Sequence, residues 1–379
     1  MNGESRFLRT VCQVTLDGTG DRLPVYESVL DEERLFRFGL YHQILPLIAH
    51  HRDKLKIAFP ALSDEFFEKS RNYLVTNVGR VMYYERFLAD LDDRLTTEGV
   101  EYRLFKGPVL AYELYQLPYL RTFGDLDILI QEKSLEKVHR IITGLNCELC
   151  DDLYIAFPDV VIKKYSFARH YTSVKSPFVA IDVHLSLSNR LHPFQFDIAD
   201  FWLHSRSFRI GDRDYQTFDR SHQALYLLYH AFKHYFFKLI WVIDCQQNFQ
   251  SPDFDLVGFK YLLKKYNLVR LWEIYNQVAA DLWDEKSQLN NAVPRRRRIK
   301  IIKTDLILQG GLATSPSRAR MLLPMLYLPK LSQKLVYLWR QMFPPREVVR
   351  DFYVSKDLKP TWRNYLSLRR KAVAELFND

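Results

Sequence analysis

The chain has 379 residues, of which 47% are hydrophobic and 15% aromatic, so it has the apolar content to fold around a substantial core and is not a disordered polymer. Its formal charge of +9 and pI near 9.2 favour an anionic partner, whether a nucleotide, RNA or a phosphorylated substrate, without choosing among them. Uncharged apolar runs of about 18 residues are missing, Met1 to Thr10 lacks the apolar segment of a signal peptide, and Cys12, Cys147, Cys150 and Cys245 are too few for a disulfide framework, which predicts a soluble cytoplasmic protein with no membrane span.

The first helical signal lies at 35–50, an apolar segment interrupted at Pro46, since proline breaks a helix interior. In 63–98, Phe67, Leu74, Val78, Val81, Leu88, Leu91 and Leu95 recur at helical spacings. Ser63 is the expected N-cap, Asp64 and Glu65 suit the positive end of the helix dipole, and Gly99 is the expected stop. Residues 1–99 thus read as an N-terminal helical region.

From Val100 the texture changes. Residues 100–105 read as a strand, 107–116 as a short helix and 125–130 as a second strand, a β-α-β opening. A helix at 134–143, strands at 160–167 and 178–185, and a hairpin at 207–218 turning at Gly211-Asp212 complete a core spanning 100–218. After Ser221 the period is helical again, with Leu225, Leu228, Ala231 and Phe232 on one face, then 256–266 and 271–284. Gly310-Gly311 and Pro316 mark a loop, and Pro344-Pro345 closes a helix ahead of 346–353, which makes 219–379 a C-terminal helical domain.

Residues two apart on a strand point to the same side, so Asp125 and Asp127 place two carboxylates on one face while Leu126 and Ile128 turn inward. Such a pair suits Mg²⁺, which takes oxygen ligands and completes its shell with substrate phosphates. Alone, D-x-D is a common surface pattern. Asp182 is a further carboxylate in an apolar strand, where an ionised group facing the core is costly; it faces a site or solvent. From a neighbouring strand it would serve as a third metal ligand and as general base for an acceptor hydroxyl; as an edge-strand surface residue it would do neither. Lys106-Gly107 sits where a strand hands over to a helix, so backbone N–H groups meet phosphate there and Lys106 adds a cation. Arg121 offers a guanidinium for phosphate; the bland reading of both cations is a solvated charge beside an acid.

His230 and His234 lie one helical turn apart, followed by Asp244. The H-E-x-x-H order of zinc proteases is missing, because Ala231 stands where the glutamate belongs. The pair either orients an aspartate or touches phosphate, or packs structurally. His184 shares a face with Asp182 if its strand is regular; neither it nor His170 is assigned a catalytic role. Cys147 and Cys150 form one C-x-x-C without the second pair of a zinc site, and read as packed or edge thiols. Arg295 to Arg298 are a solvated loop or a phosphate or RNA contact.

Leu104-Phe-Lys-Gly107, Arg121-x-x-Gly-Asp-x-Asp127, Ile181-Asp-Val-His184 and His230-x-x-x-His234, taken together, resemble the uncharacterised nucleotidyltransferase family of the DNA polymerase β superfamily. The resemblance implies an α+β fold: a short mixed sheet with helices, flanked by N-terminal and C-terminal helical regions. It also implies that Gly107 opens the nucleotide-binding turn, that Asp125, Asp127 and Asp182 hold Mg²⁺ or Mn²⁺, and that an NMP passes from an NTP, ATP first among them, to an acceptor with release of pyrophosphate. One departure stands out: superfamily members usually have Gly-Gly or Gly-Ser at that turn, whereas this chain has Lys106-Gly107-Pro108. The span from Gly107 to Asp125 is also longer than the superfamily pattern. The acceptor, whether small molecule, protein or RNA, is not legible. Two other readings are a catalytically inactive nucleotide- or RNA-binding protein of the same fold, and a metal-dependent hydrolase or phosphotransferase, for which the G-x-x-x-x-G-K-[ST] and H-R-D patterns are absent.

Overall fold

The computed structural model describes residues 3–17, 23–150, 168–176, 179–188, 193–283, 307–308, 325, 328 and 331–342. In chain order the elements are α1 (Gly3–Asp17), α2 (Glu32–Tyr41), α3 (Leu45–His50), α4 (Arg52–Ala58), α5 (Asp64–Thr97), β1 (Tyr102–Phe105), α6 (Gly107–Leu114), β2 (Leu126–Ile130), α7 (Leu135–Gly144), β3 (Cys147–Leu149), β4 (Ala168–Ser173), β5 (Ala180–His184), α8 (Ile198–Leu203), β6 (Ser205–Ile210), β7 (Arg213–Phe218), α9 (Arg220–Lys233), α10 (Leu239–Phe249), α11 (Leu256–Lys265), α12 (Val269–Trp283) and α13 (Leu331–Met342). The expected strand at 160–167, the loop marked by Gly310-Gly311 and Pro316, the segment 346–353 and Arg295 to Arg298 lie outside the described residues.

Local chemistry explains most boundaries. Ser63 Oγ accepts from the Phe66 amide at 3.2 Å and starts α5, and Gly99, with φ +64°, ends it. The apolar segment 35–50 is two helices, and the break is not at Pro46. It falls at His42 to Ile44, with Gln43 at φ 60°, while Pro46 sits in the first turn of α3, where its missing N–H has no partner to lose. The hairpin of β6 and β7 turns at Gly211, φ +56°, followed by Asp212.

The chain divides into two compact units. The first draws on Met1–Ala89, Phe105–Gly124 and Arg206–Ala313, the second on Asp90–Leu104, Asp125–Ser205 and Thr314–Asp379. Among its described residues the first unit is helical apart from the end of β1 and the β6–β7 hairpin. Aromatic side chains fill it: Phe249 meets Trp272 at 4.7 Å between ring centroids and Phe7 meets Phe59 at 5.3 Å, both edge-on. Trp283 donates to the Cys12 carbonyl at 3.0 Å, which fixes α12 on α1. The α6 helix is held by its one acid, Glu113, which is buried and bonded to Arg206, to Arg220 at 3.1 Å and to Gln223 at 2.6 Å.

His42, fully buried at the corner between α2 and α3, closes this unit from inside. The Leu239 amide donates to Nδ1 at 3.3 Å, so Nδ1 is the acceptor nitrogen and Nε2–H donates to the Leu308 carbonyl at 3.2 Å. Burial pushes His42 down to about 4. In the unfolded chain the ring titrates near its ordinary 6.5, so between those values the unfolded state carries the extra proton. Stability from His42 is therefore full above pH 6.5 and is lost as pH falls toward 4, by about 3 kcal/mol at about 1.4 kcal/mol per pKa unit. Urea unfolding of the wild type and of His42→Gln across this window will show a shallower acid loss in the variant; parallel curves would count against the assignment.

The second unit is built on a five-stranded sheet in the order β1-β2-β5-β4-β3. β2 and β5 are parallel, while β4 runs antiparallel to both β5 and β3. α7 covers one face: Glu136 reaches the buried Arg169 at 3.4 Å and His139 meets the Tyr171 hydroxyl at 3.0 Å, beside Leu126, Ile128, Ile181 and Val183. By alternation, Asp127, His170, Asp182 and His184 share the opposite face.

Candidate functional site

Strand register assembles the acidic site. Parallel pairing puts Asp127 directly beside Asp182, and antiparallel pairing puts His170 on the far side of Asp182. The Cys150 amide donates to the His170 carbonyl at 2.9 Å and extends the same row to the fourth strand. His184, two residues beyond Asp182, reaches back across the strands so that Nε2 lies 2.8 Å from Asp127 Oδ1. His170 Nδ1 lies 2.5 Å from Asp182 Oδ1. A carboxylate only accepts, so each imidazole donates from the named nitrogen. The two pairs differ in surroundings: the side chains of Asp127 and His184 are 0% and 3% exposed, those of Asp182 and His170 24% and 47%.

Expected exposure and observed exposure differ at Asp127. β2 is buried along its whole length, so both its faces are covered and Asp127 lies inside rather than on an open surface. Ionising it there requires a compensating partner, which His184 supplies in the form of a charge-assisted hydrogen bond. Asp125 stands just ahead of β2, half-buried. At this face Asp127, Asp182 and His184 offer donor atoms that lie within 4.8 Å of one another, a group that leaves out Asp125. An octahedral hard cation about 2.1 Å from its ligands separates opposite ligands by about 4.2 Å, so the two carboxylates fit such an ion after a small side-chain adjustment. Oxygen donors of this kind suit Mg²⁺ or Mn²⁺.

In the first unit, Lys106 and Gly107 form a strained turn. Lys106 has φ 55° and ψ −145°, and Gly107 has φ 34°. A lysine in that region costs of order 1–3 kcal/mol relative to relaxed backbone. The departure from Gly-Gly or Gly-Ser is therefore one of residue type and not of shape, because Lys106 adopts a backbone natural to glycine. Its ammonium lies 5.8 Å from the centre of the Tyr226 ring, and the turn leads into α6 with Pro108 in the first helical turn.

Arg121 is not a solvated cation. It is 5% exposed, and its Nε and Nη2 donate to the two oxygens of Asp244 at 2.9 and 2.8 Å, while Nη1 donates to the Gly107 carbonyl at 3.3 Å. The Tyr115 hydroxyl also donates to Asp244, at 2.7 Å, and burial together with that carboxylate holds the phenol well above its ordinary pKa. Asn77 on α5 donates to the Tyr119 carbonyl at 2.7 Å, steadying the segment that leads to Arg121. Asp244 is thus oriented by Arg121 and Tyr115. His230 and His234 pack edge-on at 4.9 Å, each against Trp241, at 5.2 and 4.9 Å. Burial first, then nearby lysines including Lys106 and Lys233, lower both rings, His234 to about 4. Both are neutral at pH 7.

The family described as uncharacterised nucleotidyltransferase matches this chain over residues 28–284. The chain belongs to that family. The matched span contains Lys106, Gly107, Arg121, Asp125, Asp127, Asp182, His230, His234 and Asp244, together with the small mixed sheet and the helices of an α+β nucleotidyltransferase core. No curated protein matches it. Among the described residues no helix is long and apolar enough to cross a membrane.

Sequence reasoning missed three links. The bond from His184 to Asp127 had one visible signal, the shared face of His184 and Asp182. The bond from His170 to Asp182 had none, because β4 itself reads only weakly as a strand. The pairing of Arg121 with Asp244 spans 123 residues of sequence.

Proposed function

We propose that this protein is a metal-dependent nucleotidyltransferase that moves an NMP from an NTP, ATP first among them, to a hydroxyl or phosphate of an acceptor. The observation that carries the reading is the adjacency of Asp127 and Asp182 in register on parallel strands, with donor atoms close enough for one ion. Asp127 and Asp182 hold Mg²⁺ or Mn²⁺, and Asp125, at the mouth of β2, completes the acidic set. A bound ion supplies Lewis-acid stabilisation of the phosphate oxygens.

The chain's own groups do the rest. Asp182, the more exposed of the paired carboxylates, takes the proton from the acceptor hydroxyl as its oxygen bonds to the α-phosphorus. The bond from that phosphorus to the bridging oxygen breaks, and pyrophosphate leaves. In the first unit, Lys106 and the amides at the start of α6 are suited to phosphate oxygens. Arg121 fixes the Gly107 carbonyl and so the shape of that turn. His230 and His234, neutral and near Lys106, belong to the nucleotide's surroundings. The formal charge of +9 favours an acceptor that is anionic, whether RNA, a phosphorylated metabolite or an acidic protein segment. Four free thiols suit a reducing compartment such as the cytoplasm.

The test is incubation of the pure protein with each α-³²P-labelled NTP, Mg²⁺ or Mn²⁺, and cell extract, beside the Asp125→Asn plus Asp127→Asn variant. Label should pass to a discrete species with the wild type alone, and its mass names the acceptor class. Equal transfer by both proteins, or no transfer together with no NTP binding, would sink the reading.

A further inference from the structure

Each of the two aspartates paired across β2 and β5 has its own histidine, and the two histidines use different ring nitrogens. His184 meets Asp127 through Nε2 at 2.8 Å, and His170 meets Asp182 through Nδ1 at 2.5 Å. Both bonds end on Oδ1, so in each carboxylate one oxygen is held by an imidazole and the other is turned elsewhere. A ring nitrogen that donates its proton to a carboxylate has no lone pair for a cation, so His184 Nε2 and His170 Nδ1 are not themselves ligand atoms. Neighbours of this kind fix the angle and charge of a ligating group, and their loss typically weakens metal binding by about 10–100-fold.

We propose that His184 and His170 are positioning residues, holding Asp127 and Asp182 by Nε2 and Nδ1 respectively so that the second oxygen of each carboxylate faces the metal. This rests on the metal-site reading given above. Two features support it beyond the distances. The pairs lie in one register row and its immediate neighbour, so β4 and β5 deliver both imidazoles to the acidic face by strand alternation alone. His184 holds the buried Asp127 from within the protein, whereas Asp182, one-quarter exposed, is held by the half-exposed His170.

The nitrogen used predicts which amide replaces each ring. An asparagine amide lies where Nδ1 lay, and a glutamine amide where Nε2 lay. Mn²⁺ binding, followed by electron paramagnetic resonance of the full-length protein without nucleotide, should weaken about 10–100-fold in His170→Gln and His184→Asn. It should stay within about threefold of wild type in His170→Asn and His184→Gln, a contrast that orientation alone produces. Thermal melts verify that each variant is folded. Because His184 is buried, the His170 pair, on a half-exposed side chain, carries the comparison by itself if a His184 variant does not fold.

Equal weakening by both amides at either position, or no weakening at all, would overturn the proposal. So would a ¹⁴N coupling from bound Mn²⁺ that disappears in His184→Gln, since that makes His184 a ligand. Wild-type protein that binds no Mn²⁺ removes the metal site and this proposal with it. Wild-type protein that binds Mn²⁺ with the crossed amide pattern, yet transfers no label from any NTP, leaves the positioning roles standing and removes the transferase reading alone.

Discussion

Asp182→Asn should lower nucleotidyl transfer by about 10²–10⁴-fold, the contribution of a positioned general base, while the protein stays folded. Asparagine keeps the shape of the side chain and its place beside His170, but it neither takes a proton nor contributes charge. The side chain is one-quarter exposed and sits on a sheet whose other face, under α7, carries the packing, so the melting curve should barely move. Asp127→Asn should fall by a comparable factor for a different reason. It removes a buried charge that compensates the metal, and electrostatic groups of this kind contribute about 10²–10³-fold when lost singly. It also removes the ionic half of a fully buried pair, so this variant loses thermal stability as well. Steady-state transfer of labelled NMP across a range of NTP concentrations separates the two: a lower kcat with little change in KM for Asp182→Asn, and a lower kcat with a raised KM for Asp127→Asn. Undiminished kcat in Asp182→Asn would remove this residue from the chemistry.

Elements set by local chemistry were readable in advance. The cap at Ser63, the stop at Gly99 and the glycine turn of the β6–β7 hairpin are decided within a few residues, and α5, β6 and β7 lie close to where those signals put them. Pro46 misled because proline marks both the interior break and the first turn of a helix, and which one applies depends on His42, whose partners are Leu239 and Leu308. β3, a three-residue strand, and β4 gain their form from pairing with neighbours and not from their own pattern. The site divides the same way. Asp127 and Asp182 were visible as strand acids and His184 as a residue on the face of Asp182. Which imidazole serves which carboxylate depends on the register of β2 against β5 and of β4 against β5, and register is a long-range property. Arg121 was visible as a cation, but its burial and its acid lay beyond reach, since Asp244 belongs to a different helix.

Asp244→Ala should destabilise the protein by about 3–5 kcal/mol, because it strands the Arg121 guanidinium without its carboxylate in a buried setting. Arg121→Met should cost a similar amount by stranding Asp244. The double variant Arg121→Met plus Asp244→Leu removes both charges together, and apolar replacement of a buried pair is often close to neutral, so it should recover most of the loss in urea unfolding. Single variants costing less than about 1 kcal/mol would place the pair in the range of exposed ion pairs and refute its buried role. The double variant also decides what Arg121 does for the nucleotide. If Arg121 matters only through the packing of the buried pair, restored stability brings restored NTP affinity. Should stability return without NTP binding, the guanidinium itself is required, through its bond to the Gly107 carbonyl or through its charge. Asn77 keeps its bond to the Tyr119 carbonyl in every variant and so steadies the segment leading to position 121, whereas the Tyr115 hydroxyl loses its acceptor wherever Asp244 is replaced.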